Sequence, residues 1–164
     1  MPENKDNKKP DHQYYMRLAL IEAEKAGQMD EVPIGSVIVA ESGNVISAAG
    51  NSTVSNADPT AHAEILAIRK AADNIQNYRL NDAVLYTTIE PCIMCMGAII
   101  HARIKCVVFG AHDKKWGGAG SLFNFSDDDR LNHRLEVVPG ICADECRTLI
   151  QTFFKHKRLL KKKH

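Results

Sequence analysis

An α/β fold, with helices on both faces of one sheet, is what this sequence predicts. Three observations carry that expectation. Two apolar runs, Ser36–Ala40 and Val45–Ala49, flank "ESGN", the pattern of a β-hairpin. Past the hairpin, helical periodicity alternates with short apolar segments, which places helices between the strands of a sheet. The chain has 164 residues, 45% hydrophobic and 25% charged, enough for one domain with its own core.

The elements follow in order. Residues 1–10 are polar, carry mixed charge and include Pro2 and Pro10, so a disordered tail is expected there. Residues 11–160 form the single domain and residues 161–164 a basic tail. Asp11 is a candidate N-cap for the first helix. Tyr14, Leu18 and Ile21 share one helical face, and Gly27 is expected to end the helix. After the hairpin, Asp58 is a candidate N-cap for a second helix starting near Pro59 or Thr60 and ending about Asn77. "DAVLYTTIE" reads as a buried strand. "PCIMCMGAIIHA" reads as a helix apolar on nearly every face, hence buried. "IKCVVFGA" is another strand. A loop with Gly117, Gly118 and Gly120 leads to a strand in "RLEVVPG" and a last helix over Ala143–Leu160.

The formal net charge is +1, unevenly spread. The last ten residues hold six Lys or Arg, and removing those six from the total leaves residues 1–154 at −5. Such a terminus is an electrostatic handle for phosphates, and equally a solvated helix end whose cations suit the helix dipole. No apolar run approaches the roughly 20 residues that span a bilayer. The N-terminus lacks the apolar stretch of a signal peptide. A cytoplasmic chain without a membrane partner is expected. The cysteine count, five, is odd, which favours metal binding or reduced core thiols over disulfides. Cys106, in an apolar strand, and Cys142 and Cys146, without a third ligand nearby, read as core thiols.

Cys92 and Cys95 differ, because Pro91 starts a helix and C-x-x-C spacing puts both thiols on one face of its first turn. The positive end of the helix dipole favours thiolate there. About thirty residues earlier, "TAHAEILAI" carries His62 and Glu64 at the front of another helix. Burying either group costs free energy unless it is paired. Two thiolates and a neutral imidazole make a three-ligand zinc site, and three protein ligands leave a fourth position open, the mark of catalytic zinc. Glu64 then remains free to move protons to and from water. Taken alone, the histidine is a cap or core group and the C-x-x-C a redox pair. Neither reading accounts for all four residues together.

H-x-E followed by P-C-x-x-C is the signature of zinc deaminases, of which the tRNA adenosine deaminases are a known example. The chain resembles the bacterial tRNA-specific adenosine deaminases, within the cytidine/deoxycytidylate deaminase superfamily, from about Tyr14 to Arg158. "VPIGSVIV", "DPTAHAEI" and "EPCIMCMGAIIHARI" are shared with several deaminases. "FGAHD", "GAGSL", "NHRLEV", "GICADEC" and "FFK" resemble the tRNA enzymes. The resemblance implies a three-layer αβα sandwich with a mixed five-stranded sheet, cytidine deaminase-like. It implies deamination of adenosine to inosine at the wobble position of a tRNA anticodon, one Zn2+ per chain on His62, Cys92 and Cys95, and Glu64 as the catalytic proton carrier. It also implies that Asn51 reads the base edge, that Asp113 contacts the ribose, and that Phe153 and Phe154 lead an RNA-facing basic helix, with one Phe packed and Phe154 reaching the pocket. The partners implied are the anticodon stem-loop and a second copy of the chain. His112 and Trp116 depart from the Arg and small residue more usual in that family. Trp116, the only tryptophan, can stack on a flanking base or pack on the surface.

Two alternatives stand beside this expectation. A deaminase of free nucleobases or nucleosides, guanine or cytosine, would use the same four residues. A nucleic-acid-binding regulator with purely structural zinc would not need Glu64.

Overall fold

The computed structural model describes residues 9–164; most of the expected disordered tail falls on residues 1–8, outside the described residues. The elements are α1 (His12–Gln28), β1 (Gly35–Val39), β2 (Val45–Gly50), α2 (Ala63–Ile75), β3 (Val84–Ile89), α3 (Ile93–His101), β4 (Cys106–Ala111), β5 (Glu136–Val138) and α4 (Ala143–Lys161). The five strands form one sheet in the order β2-β1-β3-β4-β5. β1 pairs antiparallel with β2 and with β3, whereas β3–β4 and β4–β5 are parallel. The mixed five-stranded sheet and the opening hairpin are those expected.

Side-chain alternation along the central strands sorts the core into two halves. Val37, Val39, Tyr86, Cys106 and Val108 face Met16, Ala19 and Leu20 of α1 and Cys146 of α4. Ile38, Leu85, Val107 and Phe109 face Ala67 and Ala71 of α2 and Met96 and Ile99 of α3. With both faces covered, β1 and β4 are buried along their whole length. That burial explains why they read as continuous apolar runs.

Helix α1 starts as expected, with the Asp11 carboxylate accepting from the Tyr14 N–H. It buries a different face from the one predicted. Its inner side is Met16, Ala19, Leu20, Ala23 and Ala26, while Tyr14 and Ile21 are exposed at 55% and 47%. Leu18 packs at the margin of the core. The cause is close approach. A Cβ on Gly35 would overlap the backbone of Ala19, so small alanines must turn inward where the helix rests on β1. Gly27 lies within the last turn, and the helix is capped at Met29.

Asp58 is not the cap of α2. Its carboxylate accepts from the N–H and hydroxyl of Thr60, closing a turn before the helix. The N-cap is His62 instead. Cys106 and Cys146 are core thiols, and burial pushes them up to about 11 and about 12, which keeps them protonated and unreactive. Cys142 is only half-buried, at the α4 N-cap with φ 53, so the core reading fits it in part.

Candidate active site

Two helices begin at the same place. His62 is the N-cap of α2 and Cys92 the N-cap of α3, both with extended backbone and no side-chain capping bond. Freed from capping, the two side chains project off the helix ends, and Cys95, one turn into α3, joins them. His62 Nδ1 lies 3.6 Å from Sγ of Cys92 and 3.6 Å from Sγ of Cys95. The three donor atoms all lie within 4.8 Å of one another. Zinc–sulfur bonds of about 2.3 Å and zinc–nitrogen bonds of about 2.0–2.1 Å at a tetrahedral angle require an N···S edge of about 3.6 Å. The donor set and its spacing therefore fit a zinc ion. Among the described residues this is the one such cluster of three metal-ligating groups.

Hydrogen bonds from Cys95 and then His62 hold the Cys92 thiol down at about 4, against the cost of burial. The Cys92 partner raises His62, and Cys95 is raised by sharing its proton with Cys92 and by burial. Cys92 alone is pushed toward its ligating form, while His62 and Cys95 are pushed toward protonation, so a cation binding there would displace protons.

Glu64, in the first turn of α2, is buried at 3% exposure. Burial raises its carboxyl to about 6, and the hydroxyl of Thr87 on β3 donates to Oε1 at 3.3 Å. A carboxyl near 6 can both accept and release a proton near neutral pH. His62, Glu64 and Cys92 line a cavity of about 610 Å³, whose apolar walls are Ile34, Pro59, Ile89, Ile93 and Met94 and whose rim includes Asp113 and Trp116.

The remaining candidates are distributed unevenly. Asn51 is buried directly after β2, and its N–H donates to the carbonyl of Ile34, a cavity wall. Asp113 lines the cavity, and its Oδ1 accepts from the N–H groups of Lys115 and Trp116, closing a turn. Phe154 does not line this cavity. It is 43% exposed and borders a separate groove with Lys115, Ile150, Gln151 and Arg158. Phe153 is half-buried with Lys157 Nζ 5.6 Å from its ring centre.

Sequence reasoning missed Glu90. It is 1% exposed and lines the cavity. Its carboxylate accepts from the Ser121 hydroxyl (2.5 Å) and N–H (3.3 Å) and meets His112 Nδ1 at 3.1 Å. The available signal was an acid closing an otherwise apolar strand, immediately before Pro91-Cys92.

Residues 9–111 match the cytidine and deoxycytidylate deaminase zinc-binding region. The chain belongs to that deaminase family. Among its relatives, the tRNA-specific adenosine deaminase of Haemophilus influenzae is 52% identical over 90% of this deaminase and 85% of the relative. A solved structure from studies of A-to-I editing by tRNA:A34 deaminases at the wobble position of transfer RNA superposes with TM-score 0.80 and 43% identity. That match covers 83% of this chain and 98% of the other. The guanine deaminase of Bacillus subtilis superposes with TM-score 0.61 and 38% identity, over 68% of this deaminase and 71% of that one. The family binds zinc, and in this deaminase the site fitted to zinc is His62, Cys92 and Cys95.

Proposed function

We propose that this deaminase converts adenosine to inosine at the wobble position of a tRNA anticodon, with water consumed and ammonia released. The observation that carries the chemistry is the place of Glu64: a buried carboxyl in the first turn of α2, beside but outside the three-donor cluster, on the wall of a cavity with room for a purine. His62, Cys92 and Cys95 would hold one zinc ion, which supplies the Lewis acidity that makes water nucleophilic near neutral pH. Glu64 would take a proton from the attacking water and deliver it to ring nitrogen N1 of the adenine, then take the proton of the hydroxyl added at carbon 6 and pass it to the departing amine, which leaves as ammonia. Thr87 orients the carboxyl during these transfers. Ile34, Pro59, Ile89 and Ile93 exclude bulk water and favour a flat purine. Asn51 reads the base edge, and Asp113 meets the ribose.

The substrate class is supported by relatives named for tRNA and by the basic last helix, where Phe154 and Arg158 border one groove with Lys115. A base in a single-stranded loop leaves its stack at little cost. No described helix is long and apolar enough to cross a membrane, and the enzyme acts where tRNA is, in the cytoplasm. The working unit is a homodimer; exposed Ile93, Leu122 and Phe123, on segments bordering the cavity, supply apolar surface for it.

Incubation with an anticodon stem-loop carrying a wobble adenosine, followed by reverse transcription, tests the reading by an A-to-G change. The likeness to guanine deaminase supports one rival. Turnover of free guanine with none on the stem-loop would replace the tRNA reading by that one.

A further inference from the structure

We propose that Trp116 is a stacking platform for the nucleotide next to the target adenosine, and so a specificity-determining residue. This rests on the tRNA reading above. Trp116 is the only tryptophan in the chain, yet it is 62% exposed on the rim of the cavity that holds Glu64. A tryptophan serving only stability would bury its ring.

The backbone beneath the ring is fixed. The Trp116 N–H donates to Asp113 Oδ1 at 3.2 Å, and the Gly117 N–H donates to the Asp113 carbonyl at 2.9 Å. Gly117 bridges Cys92, and the Gly118 N–H donates to the Pro91 carbonyl at 2.8 Å. Behind the loop, the buried Glu90 carboxylate binds Ser121 and packs against Gly117. The Trp116 backbone therefore stands at a set place beside the metal-ligand segment, and little backbone entropy remains to be lost when a base lands on the ring.

The occupant follows from what adjoins the ring. A purine inside the cavity must send its chain out past the rim, so the neighbouring nucleotide passes Trp116. Lys114 and Lys115 are exposed beside the ring, and Lys115 also borders the groove with Arg158, so cations track away from the rim where phosphates would run. A free nucleobase has no neighbour to place there.

The lone tryptophan makes the test direct. Wild-type holoenzyme is titrated with a wobble-adenosine stem-loop and with two versions made abasic on either side of the target. Binding is followed separately by anisotropy of labelled RNA. The intact loop should quench Trp116 fluorescence saturably, and one of the abasic loops should bind without quenching. Trp116→Ala should raise KM for the intact loop about 5- to 100-fold with kcat little changed, and Trp116→Phe should recover part of the loss. Binding and turnover with silent Trp116 fluorescence, or an unchanged KM in Trp116→Ala, overturns the platform and leaves the tRNA reading standing. A wild-type enzyme that neither binds nor deaminates any stem-loop overturns both.

Discussion

Gly117 lies directly against the carboxylate of Glu90, so that a Cβ at Gly117 would overlap Oε2. The contact joins the strand end before Pro91 to the loop that carries Asp113 and Trp116. Gly117→Ala should therefore force the buried carboxylate or the loop to move, at a cost of about 1–3 kcal/mol. Chemical denaturation would read the loss, and an unchanged midpoint would mean that the loop yields freely.

Glu64 is the proposed proton carrier and stands outside the three-donor cluster. Glu64→Gln keeps the shape and removes the titrating group. The expected outcome is full zinc content, a melting temperature no lower than that of wild type, because a neutral amide removes the cost of burying the charge, and turnover reduced about 100- to 10,000-fold. Near-normal deamination by that variant would remove the role assigned to Glu64.

Cys92 occupies the N-cap position of α3 and is one of the three donors fitted to zinc. Cys92→Ser should lower bound zinc and thermal stability together, because metal binding is coupled to folding. Chelation of the wild-type protein should reproduce the drop, with recovery on adding zinc back. Elemental analysis alongside calorimetry separates this from a purely structural defect, in which zinc would stay near one per chain.

Glu31 is buried and gathers the 53–55 segment, accepting from Ser55 N–H (2.6 Å) and hydroxyl (2.8 Å), Val54 N–H (3.2 Å) and Thr53 hydroxyl (3.5 Å). Burial raises its carboxyl, but these donors outweigh it and the net shift is downward from 4.5. A lowered native value stabilises the fold above the unfolded value, and the gain disappears as pH falls through the native one. Wild type should therefore exceed Glu31→Gln in stability at pH 7, with the gap closing on acidification below about 4.5. A gap that widens in acid would reverse the sign of this linkage.

Affinity for an anticodon stem-loop should fall steeply with salt, in a log–log slope of about 0.7 per phosphate contact on single strands. Replacing Arg158 by Gln should flatten that slope by about one contact if the groove with Lys115 carries phosphate. An identical slope would move the backbone path elsewhere.

What was legible in the sequence was what depends on short-range spacing. The hairpin, Asp11 as a cap, and the H-A-E and P-C-x-x-C motifs are read over a few residues, where local geometry dictates which side chains share a face. The face of α1 was not legible. Tyr14, Leu18 and Ile21 form an apolar stripe by periodicity, but Gly35, distant in sequence, admits only alanines where the helix lands. Asp58 looked like a helix cap because an Asx turn and an N-cap use the same residue type. Phe154 was expected in the pocket from its place in a motif, and the run of α4 sets it on a neighbouring groove instead.

By itself, then, the sequence determined the donor set, the carboxyl beside it and the alternation of strands and helices. The tertiary structure alone decided that these groups meet. The registers of β1 with β2 and with β3, Gly35 opposite Gly50 and Ser36 opposite Thr87, tie together the strands that precede α2 and α3, whose starts thirty residues apart meet at one point. Glu90 acquires its partners only when Ser121 returns to it across 31 positions. The physical reason is that burial, which raises the carboxyl of Glu64, and the hydrogen bonds from Cys95 and His62, which lower the thiol of Cys92 against burial, are properties of the packed whole and not of any segment of it.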